Sequence, residues 1–302
     1  MNDLAKNYDA ILITGPTASG KSALALRLAR EAGGVVVNAD SMQVYDTLQV
    51  LTARPLTIEM EDIPHHLYGH VPADRAYSTG EWLRDVGDLL SKLRVEGRMP
   101  VFVGGTGLYF KALTGGLSDM PKISQNIRNR LRLRLKEEGA EALYGDLLRR
   151  DPVLAGQLRP MDGQRIVRAL EVLDETGRSI SHFQNAAGPV IVDPARARKM
   201  VVLPDRAVLH GRINRRFAAM FDSGAVEEVE ALLALHPDPG VPAMKAIGVA
   251  QIAEMLAGRM TKDAVVERAS VLTRQYAKRQ MTWFRNQMNA DWMRVDPQSL
   301  SS

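Results

Sequence analysis

The stretch Gly15-Pro16-Thr17-Ala18-Ser19-Gly20-Lys21-Ser22 constrains this chain more than any other. It matches G-x-x-x-x-G-K-[ST] in full. A short apolar run, Ala10 to Thr14, precedes it, and a helically spaced segment, KSALALRLARE, follows. A strand, a glycine turn and a helix in that order curl backbone N–H groups around phosphate oxygens and aim the positive end of the helix at the same point. Lys21 supplies a cation, and the Ser22 hydroxyl a ligand for Mg²⁺. All eight residues, Gly15 to Ser22, are therefore expected to hold phosphate. A glycine-rich turn without a ligand accounts for neither Lys21 nor Ser22.

Further apolar runs extend the pattern. Val35-Val36-Val37 leads into Asn38-Ala39-Asp40-Ser41, Val101-Phe102-Val103 leads into Gly104-Gly105-Thr106-Gly107, and Val201-Val202-Leu203 stops at Pro204. None alternates, which is how buried parallel strands read, and ligands of such sheets sit beyond the carboxyl ends of the strands. From about Ser118 to Lys199 helical spacing takes over, as in Ile127, Leu131 and Leu135, with a further strand-like run only at Pro189 to Val192. The expected architecture is α/β: a P-loop core with a parallel sheet flanked by helices, in residues 1–117 and 200–302, interrupted by a mostly helical insertion, 118–199. The last residues, from about Pro297, are expected to fray.

The 302 residues are 45% hydrophobic and 25% charged, which is enough to bury a large core. The absence of cysteine excludes disulfides and thiolate metal sites. No basic-then-apolar leader opens the chain and no apolar run is long enough to span a bilayer, so a cytoplasmic protein without a membrane partner is expected.

Asp40 follows the second strand. A carboxylate there has several uses: to hold Mg²⁺ through water, to take a proton from a substrate, or to cap a helix. The GGTGLYF segment lacks G-x-G-x-x-G spacing, so a dinucleotide fold is rejected; its glycines allow a ligand or backbone to approach closely, and Thr106 offers a hydroxyl. Arg212 and Arg216, four apart on a helix, can clamp an anion or lie on the surface. His65 and His66 diverge as neighbours do, and no zinc motif accompanies them.

Net charge is +4, and its placement matters more than its size. Lys122 to Lys136 carries six Lys or Arg and no acid; Arg268 to Arg285 carries five and no acid. Either alone reads as a solvated helix face, but two such runs beside a phosphate loop point towards nucleic acid. In helical projection Val265, Ala269, Leu272, Tyr276 and Trp283 share one face, and Arg274, Lys278 and Arg285 the other. In QRIVRALEV, Ile166, Leu170 and Leu173 cluster while Gln164 and Arg168 face away.

Taken together, GPTASGKS, NADSMQVY, PHHL, VFVGGTGLYFKAL, DGQRIVRALEV and RQYAKRQMTWFRNQ resemble the tRNA dimethylallyltransferases, in family order from about Ile11 to Gln287. The resemblance implies transfer of a dimethylallyl group from dimethylallyl diphosphate to N6 of adenosine 37 in tRNA, releasing diphosphate, with Mg²⁺ as cofactor. It implies that Gly15 to Ser22 and Arg216 hold the diphosphate, with Arg212 the second choice, and that Asp40, Lys21 and Thr106 are catalytic, Asp40 as general base. It places Ser41, Met42 and Gln43 against the target adenosine. Thr106, Arg128, Gln164, Arg165, Ile166, Val167, Arg168, Lys278, Arg279, Gln280, Trp283 and Arg285 match positions that touch tRNA. The chain departs from the family at Val50 to Pro55, where an IGTAKP-like stretch loses its glycine. It departs again at Lys245 to Ala250, where an RCVGYR-like segment loses one arginine and keeps a cation only at Lys245. A monomer is expected. The rival readings are an adenylate isopentenyltransferase, a P-loop small-molecule kinase, and an RNA-binding P-loop protein without transfer chemistry. The basic insertion and C-terminal stripe set the first two apart, and Asp40 the third.

Overall fold

The computed structural model describes residues 7–184 and 188–296; the fraying expected from Pro297 onward lies outside them. The chain divides into two compact units: one contains residues up to Thr114 and from Ile191 onward, the other is Gly115–Val190.

The first unit is built on six strands, β1 (Ala10–Thr14), β2 (Val35–Asn38), β3 (His65–His66), β4 (Pro100–Gly104), β5 (Ala197–Val202) and β6 (Met293–Val295). They form one sheet in the order β3-β2-β4-β1-β5-β6, and every neighbouring pair is parallel. β1, β2 and β4 are buried at every position, as continuous apolar runs in a sheet covered on both faces must be. On one face, α1 (Lys21–Ala32) sets Leu24, Ala25, Leu28 and Ala29 against Ile11, Ile13, Val101, Val103 and Val202. After the single turn α2 (Thr57–Met60), α3 (Thr79–Glu96) and α4 (Gly107–Gly115) follow. Trp82 of α3 meets Phe102 edge-on and stacks on Tyr109 of α4 at 4.1 Å, while its indole N–H donates to the Asn38 carbonyl at 3.0 Å.

The register decides where the site lies. Thr14 stands opposite Gly104 and Asn38 opposite Val103, so the central strand β1, its neighbour β4 and the next strand β2 end level. All run the same way, and the turns after Thr14, Asn38 and Gly104 therefore emerge side by side along one edge.

The second unit consists of α5 (Gln125–Arg150), α6 (Pro152–Ala155), α7 (Gly163–Thr176) and α8 (Ile180–Gln184). Gly139, at φ 81° and ψ 172°, breaks α5 into two segments. Leu131, Leu143, Leu147, Ile166 and Leu170 form its core.

The chain then returns to the first unit with α9 (Arg206–Phe221), α10 (Ala225–Ala234), α11 (Val249–Leu256) and α12 (Lys262–Gln287). Phe217, Val229, Ile252, Val265 and Ala269 from these helices pack with Val44, Tyr45, Leu48 and Leu51 of the segment after β2.

Several expectations change. Pro189 to Val192 is not a strand; the Ile191 and Val192 N–H groups both donate to the Leu113 carbonyl, 3.2 and 3.0 Å away. β5 begins at Ala197, earlier than its most apolar residues suggested. On α12 the buried face runs through Val265, Ala269, Ala277, Gln280 and Phe284, while Leu272, Tyr276 and Trp283 are only half-buried. Small and polar residues can line the closest approach of a helix, which a ranking by hydrophobicity misses. Arg274 is not on an open stripe: its guanidinium donates to Asn214 Oδ1 of α9 at 2.5 Å.

Candidate active site

The turn after β1 is the phosphate loop. Ala18 and Gly20 have φ of 62° and 90°; a left-handed alanine is held only where the surrounding structure demands it. Gly15 lies against β5, where a Cβ would stand 2.6 Å from the Val202 carbonyl oxygen. The Lys21 ammonium donates back to the Pro16 carbonyl at 3.2 Å. No side chain caps the first turn of α1 and no acid stands in it, so its leading N–H groups remain for an anion. The Ser19 hydroxyl is buried and has no partner within the protein.

These residues floor a cleft of about 580 Å³. Asp40, Gln43, Thr52 and Ala53 also line it, together with Arg212, Arg215 and Arg216 of α9. Both arginines singled out in the sequence are present, Arg212 also donating to the Ser19 carbonyl at 3.4 Å. Arg215 is an addition that only the turn of α9 reveals. Burial pushes the Lys21 ammonium down to about 8; Asp40 opposes that shift and Arg216 adds to it. Burial likewise lowers Arg216, against the pull of Asp40 and Glu59. Both side chains are half-buried in the cleft wall, and cations gathered this way favour a multiply charged anion.

The turn after β2 presents Asp40. Its N–H donates to Asn38 Oδ1 at 2.9 Å, and its Oδ1 accepts from the Met42 N–H at 3.0 Å. No helix starts here, so the carboxylate caps a turn and not a helix. Oδ2 lies 3.2 Å from the point where a Cβ on Gly105 would be, which is one reason that position has no side chain. Tyr68, Tyr109 and Tyr276 are all raised above their ordinary phenol range, chiefly by burial and secondarily by the Asp40 charge.

The turn after β4 adds Thr106. Its Oγ1 accepts from the Ser41 N–H at 2.9 Å and donates to Ser41 Oγ at 3.2 Å, tying two turns together. Gln43 is fixed by donating to the Thr52 and Ala53 carbonyls at 3.0 and 2.9 Å. That segment is in turn anchored by Glu228 of α10, whose carboxylate accepts from the N–H groups of Gln49, Val50 and Leu51 at 2.8, 2.5 and 3.1 Å. Nothing in the local sequence marks Glu228, because its partners lie far away along the chain.

A smaller cavity of about 250 Å³ opens beside Ser41 and Thr106, walled by Gly107, Leu108, Tyr276, Arg279 and Trp283. Trp283 lies so close to Gly107 that a Cβ there would come within 2.1 Å of the indole ring. Along the outer side of α12, Gln275, Lys278, Arg279, Thr282 and Asn286 line an open groove of about 530 Å³. Lys278, Arg279 and Arg285 are exposed. Gln280 is not: it is 6% exposed, its Oε1 accepts from the Thr17 N–H and its Nε2 donates to the Gly105 carbonyl, each at 2.9 Å. The expectation that Gln280 meets tRNA is corrected by this, since both ends of its amide are engaged inside the protein.

In the second unit, the side chains of Ile166 and Val167 belong to the core and offer nothing outward, because they fall on the buried stripe of α7. Gln164 and Arg165 are exposed on the same helix, Arg168 pairs with Glu171 at 3.2 Å, and Arg128 is half-buried on α5. Lys245 is exposed at the end of the 3-10 turn Pro242–Lys245, and Met42 packs against the helical core of the first unit.

A parallel sheet with a phosphate loop on its central strand, a cationic cleft above it and a carboxylate at the rim defines an α/β P-loop protein acting on a small phosphorylated substrate. The chain belongs to the IPP transferase family, whose model matches residues 43–287, with the isopentenyl transferase model matching 8–68. It is 70% identical over 297 residues to the tRNA dimethylallyltransferase of Agrobacterium fabrum, covering 98% of this chain and 100% of the relative. It is 65% identical over 301 residues to that of Rhizobium meliloti, covering 99% of each. Among solved structures it is similar to the tRNA isopentenylpyrophosphate transferase of Bacillus halodurans, at 30% identity and a TM-score of 0.67 over 96% of this chain and 90% of that one. It is also similar to a eukaryotic dimethylallyltransferase acting on tRNA, at 26% identity and a TM-score of 0.77 over 96% of this chain and 74% of that one.

Proposed function

We propose that this chain transfers a dimethylallyl group from dimethylallyl diphosphate to N6 of adenosine 37 in tRNA. The observation that carries the reading is the placement of Asp40 on the cleft that holds Lys21 and the phosphate loop. A proton acceptor and a diphosphate cradle in one cleft suit a reaction in which a nucleophile loses a proton as diphosphate leaves.

The exocyclic amine of adenine is a weak nucleophile, because its lone pair is delocalised into the ring. It attacks the allylic carbon next to the diphosphate oxygen. As the new C–N bond forms, the C–O bond breaks and its electron pair leaves with the diphosphate. Asp40 takes the N6 proton. Lys21, Arg216, Arg212 and the loop N–H groups stabilise the charge that develops on the leaving group. Ser41 and Thr106 edge the smaller cavity, which suits an adenine that has left the stack of its loop. The exposed cations of α12, with Arg128, Gln164, Arg165 and Lys245, would hold the RNA by its phosphates.

Mg²⁺ suits the donor set. Among the described residues no cluster of three acids or histidines is present to hold a metal unaided. The ion would be held by the Ser22 hydroxyl and the diphosphate oxygens, with Asp40 in reach through water. It would add positive charge against the leaving group. No described helix is long and apolar enough to cross a membrane; a cytoplasmic monomer is the proposed working form.

Incubation with radiolabelled dimethylallyl diphosphate and unmodified tRNA tests the reading. Label is expected in tRNA, on the adenosine 3′ to the anticodon. Label only in AMP, or transfer of phosphate from ATP, would replace it with one of the rivals.

A further inference from the structure

Gln280 ties α12 to two turns that the sheet already brings level, the one after β1 and the one after β4. It lies on α12, between exposed Lys278 and Arg279 on one side and half-buried Trp283 on the other. Its amide is turned inward, and both ends are used. The oxygen holds the Thr17 N–H of the phosphate loop, and the nitrogen holds the Gly105 carbonyl of the turn after β4. A Cβ on Gly105 would stand 2.4 Å from Gln280 Nε2 and 3.2 Å from Asp40 Oδ2. The amide and the carboxylate thus flank the same point. Thr106, next to Gly105, carries the link on to the Ser41 N–H.

We infer that Gln280 is a positioning residue that sets the distance between the diphosphate cradle and the Asp40–Ser41 turn. The inference rests on the transfer reaction proposed above. In that reaction the leaving group and the proton acceptor must be held in one geometry, and a misplacement on the scale of an ångström is enough to slow the step strongly. Gln280 touches neither substrate. It fixes the two turns that do, by satisfying the half-buried Thr17 N–H and the buried Gly105 carbonyl, the second of which would otherwise be left without a partner. An amide is the side chain that meets both needs, because it donates at one end and accepts at the other.

Two variants test this in single-turnover assays alongside the wild-type protein. Gln280→Met keeps the bulk and removes both bonds. The transfer rate should fall by about 10- to 100-fold, the scale of leaving buried polar groups unpaired, while tRNA affinity measured by filter binding stays within about twofold. Gln280→Glu has a pH signature that general destabilisation lacks. As a carboxylate it accepts from Thr17 but repels the Gly105 carbonyl. Once protonated it donates to Gly105 and accepts from Thr17, as the amide does. Burial and the nearby Asp40 charge both raise its pKa. The ratio of its rate to the wild-type rate should therefore rise as pH falls. Asp40, Lys21 and Arg216 are present in both proteins, so the ratio largely cancels their titration.

A wild-type rate for Gln280→Met would overturn the inference, as would a ratio for Gln280→Glu that does not change with pH. A large loss of tRNA affinity would return Gln280 to the RNA-contacting face. If Gln280→Met does not fold, the pH profile of Gln280→Glu decides. If the wild-type protein itself transfers no label to tRNA, the proposed function fails and not the role of Gln280.

Discussion

The cleft above the phosphate loop and the outer face of α12 are both cationic, yet they hold charge in opposite ways. In the cleft, Lys21 and Arg216 are half-buried on a shared wall, and partial burial pushes Lys21 down to about 8. On α12, Lys278 and Arg285 stand in solvent, and among the described residues neither makes an ion pair. Confinement makes the first set costly without a ligand and strong with one. Exposure makes the second set weak singly and effective only in number, against a long polyanion. The same residue types serve a small anion in one place and a large one in the other.

The largest expected effect tests the acid–base side of the cleft. Asp40→Asn keeps the shape of its turn but takes up no proton, so single-turnover transfer should fall roughly 10²–10⁴-fold with little change in tRNA affinity. Near-normal transfer would reduce Asp40 to a turn residue.

Lys21→Ala comes next. Removing a charge-assisted hydrogen bond should weaken binding of the diphosphate substrate by about 10- to 100-fold. Calorimetry with dimethylallyl diphosphate measures this. An equal loss of tRNA affinity would erase the contrast between the two regions.

The face of α12 should respond in the reverse sense. Lys278→Ala with Arg285→Ala should lower the slope of log tRNA affinity against log salt by about 0.7 to 0.9 for each RNA phosphate no longer neutralised, and leave diphosphate binding unchanged. An unchanged slope would mean a merely solvated face.

The smallest effect sharpens the contrast by pH. Free Lys21, with its pKa near 8, is mostly protonated at pH 7 and mostly neutral at pH 9. An arriving anion favours the charged form. Binding should therefore take up close to one proton at about pH 9 and almost none at about pH 7, and affinity should decline as pH rises through 8. Calorimetry in buffers of different ionisation enthalpy reads the uptake, which Lys21→Ala should abolish.

How much of this was legible in the sequence depended on distance along the chain. The phosphate loop, its strand and its helix are contiguous, and they fold as read. Asp40 was legible because a parallel strand delivers its following turn to a known edge. Edge strands β3 and β6 are too short to carry an apolar signature and were not legible. The two acid-free basic runs looked alike, but the fold treats them differently. Arg130 of α5 is paired with Asp174 at 2.7 Å and Arg134 with Asp146 at 3.0 Å, acids that lie outside the run. Among the described residues Lys278 and Arg285 make no such pair. Glu228 and Gln280 were illegible as structural ties because each binds backbone groups more than a hundred residues away, and backbone partners leave no mark on local composition.

The position of Gly15 against Val202 carries a consequence for biosynthesis. A ribosome has made the whole phosphate loop by the time it passes Ser22, and the strand beside it by Gly104. The wall that the loop leans on belongs to β5, the cations across the cleft to α9, and the tie at Thr17 to α12. Until those arrive, β1 has a neighbour on one side only, and its loop is an apolar strand end with an unsupported turn. During synthesis, therefore, the full lining of the cleft is present only once α9 and α12 have been made.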